Sequence, residues 1–106
     1  MTKNVSAIIE SVGAYAPPNI LTNADLEKMV DTSDEWIIER TGIKERRIAS
    51  EGMSTSDLAT KAALSCLSSS SIEPEDIDLI IVATASPDYA FPATACLVQH
   101  ALGATN

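Results

Sequence analysis

Trp36 and Arg40 stand four residues apart, a spacing that puts two side chains on one face of a helix. An indole face and a guanidinium plane so placed can hold a flat ring by stacking and cation–π attraction. Trp36 can equally be a core residue with Arg40 covering its edge. The neighbours Asp34, Glu35 and Glu39 leave that helix little apolar face to bury, which favours a surface or cleft role. Arg40, Lys44, Arg46 and Arg47 hold four of the seven positive charges within eight residues. Such a patch can meet the phosphates of a nucleotide-like ligand or an acidic partner, or it can be a solvated segment paired with Glu39 and Glu45. Cys96 and His100, also four apart, have the types needed to activate a thiolate or bind a metal. Two ligands do not make a zinc site, and a cysteine in an apolar helical pattern is ordinarily inert. No Gly-rich phosphate loop, zinc spacing or nucleophile elbow occurs, so no metal is expected.

The elements that must position these residues follow from pattern. Val5 to Val12 is β-branched and apolar and reads as a strand, closed by Gly13 and the Pro17-Pro18 turn. Thr22 with Asp25 predicts a capped short helix with Leu26, Met29 and Val30 as its apolar stripe. Ser33 caps the next helix, Asp34 and Glu35 complement its dipole, and Gly42 ends it. Residues 43–49 suit a short strand or extended loop. Ser54 and Asp57 announce a long helix with Leu58, Ala59, Ala62, Ala63, Cys66 and Leu67 at helical spacing. Residues 73–76 make a polar turn. Residues 78–85 form a continuous apolar run, the pattern of a parallel strand covered on both faces. Pro92 suits the first turn of a last helix, Ala93 to Leu102, with Gly103 at its end. Strands separated by helices imply an α/β layer architecture with parallel pairing. Two long strands make a poor sheet, so these residues look like part of a larger unit.

Composition narrows the function classes. The chain has 106 residues, 15 acidic against 7 basic side chains and a net charge of −8. That balance argues against wrapping nucleic acid and against an electrostatic membrane anchor. The start of the chain does not read as a signal peptide, and the longest apolar run is too short to span a bilayer. The two cysteines, Cys66 and Cys96, read as buried small hydrophobes in a reducing cytoplasm.

The run Asp31-Thr32-Ser33-Asp34-Glu35-Trp36-Ile37-Ile38-Glu39-Arg40-Thr41-Gly42-Ile43, with Thr22-Asn23-Ala24-Asp25-Leu26-Glu27 before it, closely resembles the start of the β-ketoacyl-acyl-carrier-protein synthase III family of the thiolase-like superfamily. Leu79 to Thr84 and Phe91-Pro92-Ala93-Thr94-Ala95-Cys96 resemble later segments of it. The resemblance covers nearly all of residues 1–106, and the long DTSDEW…RTGI block is far more specific than any short motif. It implies the first, incomplete part of the N-terminal domain of a layered αβαβα fold with a mixed or parallel sheet.

The resemblance further implies a cytoplasmic, homodimeric acyltransferase of fatty acid biosynthesis. It would use an acyl-CoA, typically acetyl-CoA, as substrate and condense the acyl group with malonyl-acyl carrier protein, with no other cofactor. Residues matching Trp36 and Arg40 sandwich the CoA adenine in such enzymes, and that matching Thr32 hydrogen-bonds near the base. The residue matching Phe91 crosses the dimer interface and shapes the partner's acyl pocket. The catalytic cysteine, histidine and asparagine are expected beyond Asn106, and neither Cys96 nor His100 matches them. Two alternatives stay open: a related acyltransferase with another acyl-CoA primer, and a non-catalytic CoA-binding module.

Overall fold

The computed structural model describes residues 4–106. They divide into two compact units, one of Ala16–Met53 and one of residues 4–15 with Ser54–Asn106.

In the first unit β1 (Asn19–Thr22) leads directly into α1 (Asn23–Glu27), followed by α2 (Asp34–Thr41) and β2 (Glu45–Ile48). β1 and β2 pair antiparallel, with Ile20 opposite Arg47 and Thr22 opposite Glu45. The 43–49 stretch thus contains a strand, while β1 carries no local strand signal, because it follows directly on a proline pair and its last residue, Thr22, is the cap of α1. Thr22 caps α1 as expected: its hydroxyl accepts from Asp25 N, and the Asp25 carboxylate accepts from Thr22 N. The α1 stripe is shorter than its pattern suggested. The helix stops at Glu27, and Met29 and Val30 are exposed. Ser33 caps α2 by accepting from Trp36 N at 3.2 Å. Gly42 closes α2 with φ 71°, a left-handed conformation that glycine adopts without a Cβ penalty. Ile37 is the buried apolar residue of α2.

The second unit is built on α3 (Thr55–Leu67) and α4 (Thr94–Leu102), joined through a 3₁₀ turn at Pro74–Asp76. α3 and α4 pack on each other, and Thr94, Val98 and Ala104 are buried. Pro92 lies just before the helix rather than in its first turn, because Ala93 takes the cap position. Gly103 ends α4 at φ 73°. Residues leading to Tyr15 run along α3. The Ser11 hydroxyl donates to Cys66 O at 3.0 Å, and a Cβ on Gly13 would run into Cys66 N and Ala62 O.

Two expectations are corrected here. Residues 5–12 and 78–85 join no ladder; the sole sheet among the described residues is the β1–β2 pair. Val5, Ile8, Ile9, Leu79 and Ile81 are strongly exposed, so neither run is a covered parallel strand here. A central strand needs hydrogen-bonding neighbours at both edges and a layer on each face, and the described elements cover one side of the 78–85 run only. Nor are both cysteines buried: Cys66 is half-buried and Cys96 is exposed, because Cys96 lies on the side of α4 away from Val98. No helix among the described residues is long and apolar enough to cross a membrane.

Candidate functional site

Asn23 organises the region that carries the sequence-predicted binding residues. It is 1% exposed, and its backbone N–H and both ends of its carboxamide are engaged. Its amide N donates to Lys44 O at 3.2 Å. Its carboxamide nitrogen donates to Asp34 Oδ1 and to Ile43 O, both at 2.8 Å, and its oxygen accepts from Arg46 at 2.9 Å. A buried amide is tolerated only when satisfied in this way. The network ties α1, the start of α2 and the approach to β2 together. Glu27 adds a second tie by accepting from Asp34 N at 2.7 Å. Sequence reasoning read Asn23 only as part of the family-like run. A polar residue straight after a helix cap was its one further signal.

Trp36 sits one turn into α2, 52% exposed. The Arg40 guanidinium carbon lies 4.8 Å from the indole centroid, so the two side chains meet as the four-residue spacing predicts. Val30, Asp31, Thr32, Ser33 and Trp36 line an open hollow on the surface. Thr32 is half-buried at its edge. A ring sandwiched between indole and guanidinium needs the two planes about 7 Å apart, twice a van der Waals contact. In the geometry seen, Arg40 lies on the indole itself and must swing outward to admit a base.

The basic patch splits into two kinds of residue. Arg46 is held by Asn23, while Arg47 donates to Pro17 O at 3.2 Å and pairs with Glu45 at 3.6 Å. Those two cations serve the fold of the first unit. Of the Glu39 and Glu45 pairings that the solvated alternative calls for, the Glu45 one alone is present among the described residues, where Lys44 has no ion-pair partner.

In the second unit Cys96 and His100 are exposed along α4 and line a shallow hollow with Gln99 and Gly103. Among the described residues no group of three or more His, Cys, Asp or Glu side chains could hold a metal ion. Phe91 is 89% exposed, on the loop that enters α4. That loop is tied to the start of α3 by Asp88, which accepts from Ser56 N at 2.9 Å and from Ser56 Oγ at 2.6 Å. The Ser56 hydroxyl holds the Asp88 carboxyl below the ordinary carboxylate range. Sequence reasoning missed this tie, because a contact between residues so far apart in the chain leaves no local pattern.

The backbone path follows part of the thiolase-like fold of the condensing enzymes on which it superposes. A 3-oxoacyl-[acyl-carrier-protein] synthase III from Aquifex aeolicus superposes with a TM-score of 0.82 over 92% of this chain and 32% of its own, at 55% identity. Within that class the chain matches β-ketoacyl-[acyl-carrier-protein] synthase III in both sequence and fold. It is 59% identical over 106 residues to the protein of that name from Caldanaerobacter subterraneus subsp. tengcongensis, of which it covers 32%. It is 59% identical over 103 residues to that from Campylobacter jejuni, 96% of this chain and 32% of the relative. The chain thus spans about a third of the length of the curated relatives it matches. A priming β-ketosynthase of the R1128 polyketide pathway superposes at a TM-score of 0.83 over 97% of this chain and 33% of its own, with 28% identity. No family model matches the chain.

Proposed function

We propose that residues 1–106 form the N-terminal part of the N-terminal domain of a β-ketoacyl-acyl-carrier-protein synthase III that starts fatty acid synthesis. In the first half-reaction an enzyme cysteine thiolate attacks the acyl-CoA thioester, the C–S bond to CoA breaks, and CoA leaves as a thiolate that takes up the proton the cysteine gave up. In the second, malonyl-acyl carrier protein loses carbon dioxide. The carbon nucleophile so formed attacks the acyl-enzyme carbonyl, a C–C bond forms and the cysteine is released. The nucleophile and its helpers are assigned beyond Asn106. This chain contributes recognition.

Trp36 stacks on the CoA adenine, Arg40 swings out and closes over it, and Thr32 meets the base edge. Phe91 reaches toward the acyl pocket of the partner subunit in a cytoplasmic homodimer. The single observation that carries the reading is the Arg40 guanidinium 4.8 Å from a half-exposed indole beside the Thr32 hollow. A solvent-facing indole with a side-chain cation on its face can take a planar ligand once the guanidinium swings out, and desolvation strengthens the attraction. The test is steady-state turnover of acetyl-CoA by the complete synthase and its Trp36→Ala variant. A raised KM for acetyl-CoA supports the reading, and an unchanged KM refutes it.

A different acyl primer remains the second reading. One observation keeps it open: the polyketide-priming ketosynthase superposes as well as the Aquifex enzyme does, at 0.83 against 0.82. Fold therefore does not choose the primer. The identity of 55% against 28% favours the fatty-acid enzyme. Turnover of acetyl-, isobutyryl- and hexanoyl-CoA by the complete enzyme separates the two.

A further inference from the structure

We propose that Asp88 is a positioning residue for acyl-primer selection, clasping the start of α3 and thereby fixing the loop from which Phe91 projects. The proposal rests on the reading of Phe91 as part of an acyl pocket. Three hydrogen bonds make the clasp. Asp88 Oδ1 accepts from Ser56 N at 2.9 Å, and Asp88 Oδ2 accepts from Ser56 Oγ at 2.6 Å. The Thr55 hydroxyl donates to Ser86 O at 2.6 Å. Two consecutive residues of a helix N-terminus thus grip two of three consecutive loop residues. The bonds to Asp88 are charge-assisted, and one of them satisfies a first-turn amide that has no partner within the helix.

The Phe91 ring is 89% exposed, and Tyr89 beside it is 62% exposed. Packing within this unit therefore does not hold the Phe91 ring in place. Within this unit its position is set by the backbone on either side. Behind it α4 is anchored by buried Thr94 and Val98. Ahead of it the nearest fixed point is Asp88, three residues earlier. A loop displacement of about 1 Å is comparable with one methylene step of an acyl chain, the scale on which a hydrophobic pocket discriminates substrates. Loosening the clasp should blur that discrimination without touching the CoA clamp, because none of its residues is on the Trp36 helix.

The test uses the complete synthase with acetyl-CoA and hexanoyl-CoA as primers, and reads the ratio of their kcat/KM values. Asp88→Ala and Ser56→Ala are expected to lower the preference about three- to tenfold, the scale of one lost hydrogen bond. The shift should fall on KM for the longer primer rather than on kcat. Asp88→Asn should restore part of the preference, since its carboxamide oxygen still accepts from Ser56 N. Phe91→Ala should also change the ratio, and adding Asp88→Ala to it should change it no further. If Phe91→Ala moves the ratio while Asp88→Ala and Ser56→Ala do not, the clasp is overturned and the Phe91 reading survives. If Phe91→Ala leaves the ratio unmoved, the Phe91 reading falls and takes the proposal with it. Should Asp88→Ala fail to fold, Ser56→Ala keeps the backbone bond and reads the same ratio.

Discussion

The buried Asn23 carboxamide donates to Asp34 Oδ1 at 2.8 Å, and Asp34 lies two residues before Trp36. The helix that presents the indole is therefore held at its first turn by a side chain from α1. Asn23→Ala would strip partners from Asp34, Ile43 O and Arg46 at once. Leaving such groups unsatisfied costs about 2–3 kcal/mol. Chemical denaturation of the variant should show a loss of that order. A midpoint equal to wild type would mean that water replaces the carboxamide without penalty.

The cap of α1 sets a pH response. The Asp25 carboxyl is lowered from 3.8 to about 2, first by the hydrogen bond from the Thr22 hydroxyl, then by the Thr22 backbone N–H, and further by Lys28. A carboxyl depressed on folding adds stability above its unfolded pKa and loses it as pH falls through the folded one. The cap should therefore weaken from below 3.8 down to about 2. Asp57 and Asp88 are lowered too, by Ser54 and Ser56, and act in the same direction. Carboxyl titration by NMR should place Asp25 near 2, and Thr22→Ala should return it toward 3.8. An Asp25 titrating at the ordinary value in wild type would show that the cap does not form.

Gly13 approaches α3 so closely that a Cβ would meet the backbone at Ala62 and Cys66. Helix backbone cannot move aside as a flexible side chain can. Gly13→Ala should destabilise by about 1–3 kcal/mol, the usual cost of overpacking. A thermal melt reads this directly. Unchanged stability would mean that residues 4–15 sit away from α3 in solution.

The split of the basic patch gives a third kind of prediction. Lys44→Ala should reduce the salt dependence of the KM for acetyl-CoA in the complete synthase, because a cation four residues after Arg40 with no ion-pair partner among the described residues would attract the phosphates of the proposed ligand through screened Coulomb forces. Arg46→Ala should act mainly on stability, since its guanidinium serves Asn23. KM measured across a salt series, beside a melting curve, separates the two. Equal salt slopes in wild type and Lys44→Ala would remove Lys44 from the site.

Local signals carried much of this in the sequence. The caps at Thr22 and Ser33 and the glycine ends at Gly42 and Gly103 stand where residue type requires them. The meeting of Trp36 and Arg40 follows from helical spacing alone. Nonlocal features did not show. Asn23 reaches Ile43 and Arg46, and Asp88 reaches Ser56, across distances along the chain that no periodicity encodes. The apolar runs 5–12 and 78–85 misled in the opposite way. Their composition states what kind of neighbour each needs, while strand formation depends on that neighbour being paired to it. Cys96 misled likewise, because a helical pattern does not say which face a second layer covers.

The most direct measurement is the KM of the complete synthase for acetyl-CoA, compared among wild type, Trp36→Ala and Arg40→Ala. Each desolvated stacking partner is worth about 1–2 kcal/mol, so each variant should raise KM about tenfold. Melting temperature should move little, because Trp36 is half-exposed and Arg40 is exposed. Unchanged KM in both variants, with the fold intact, would contradict the assignment of this helix to CoA.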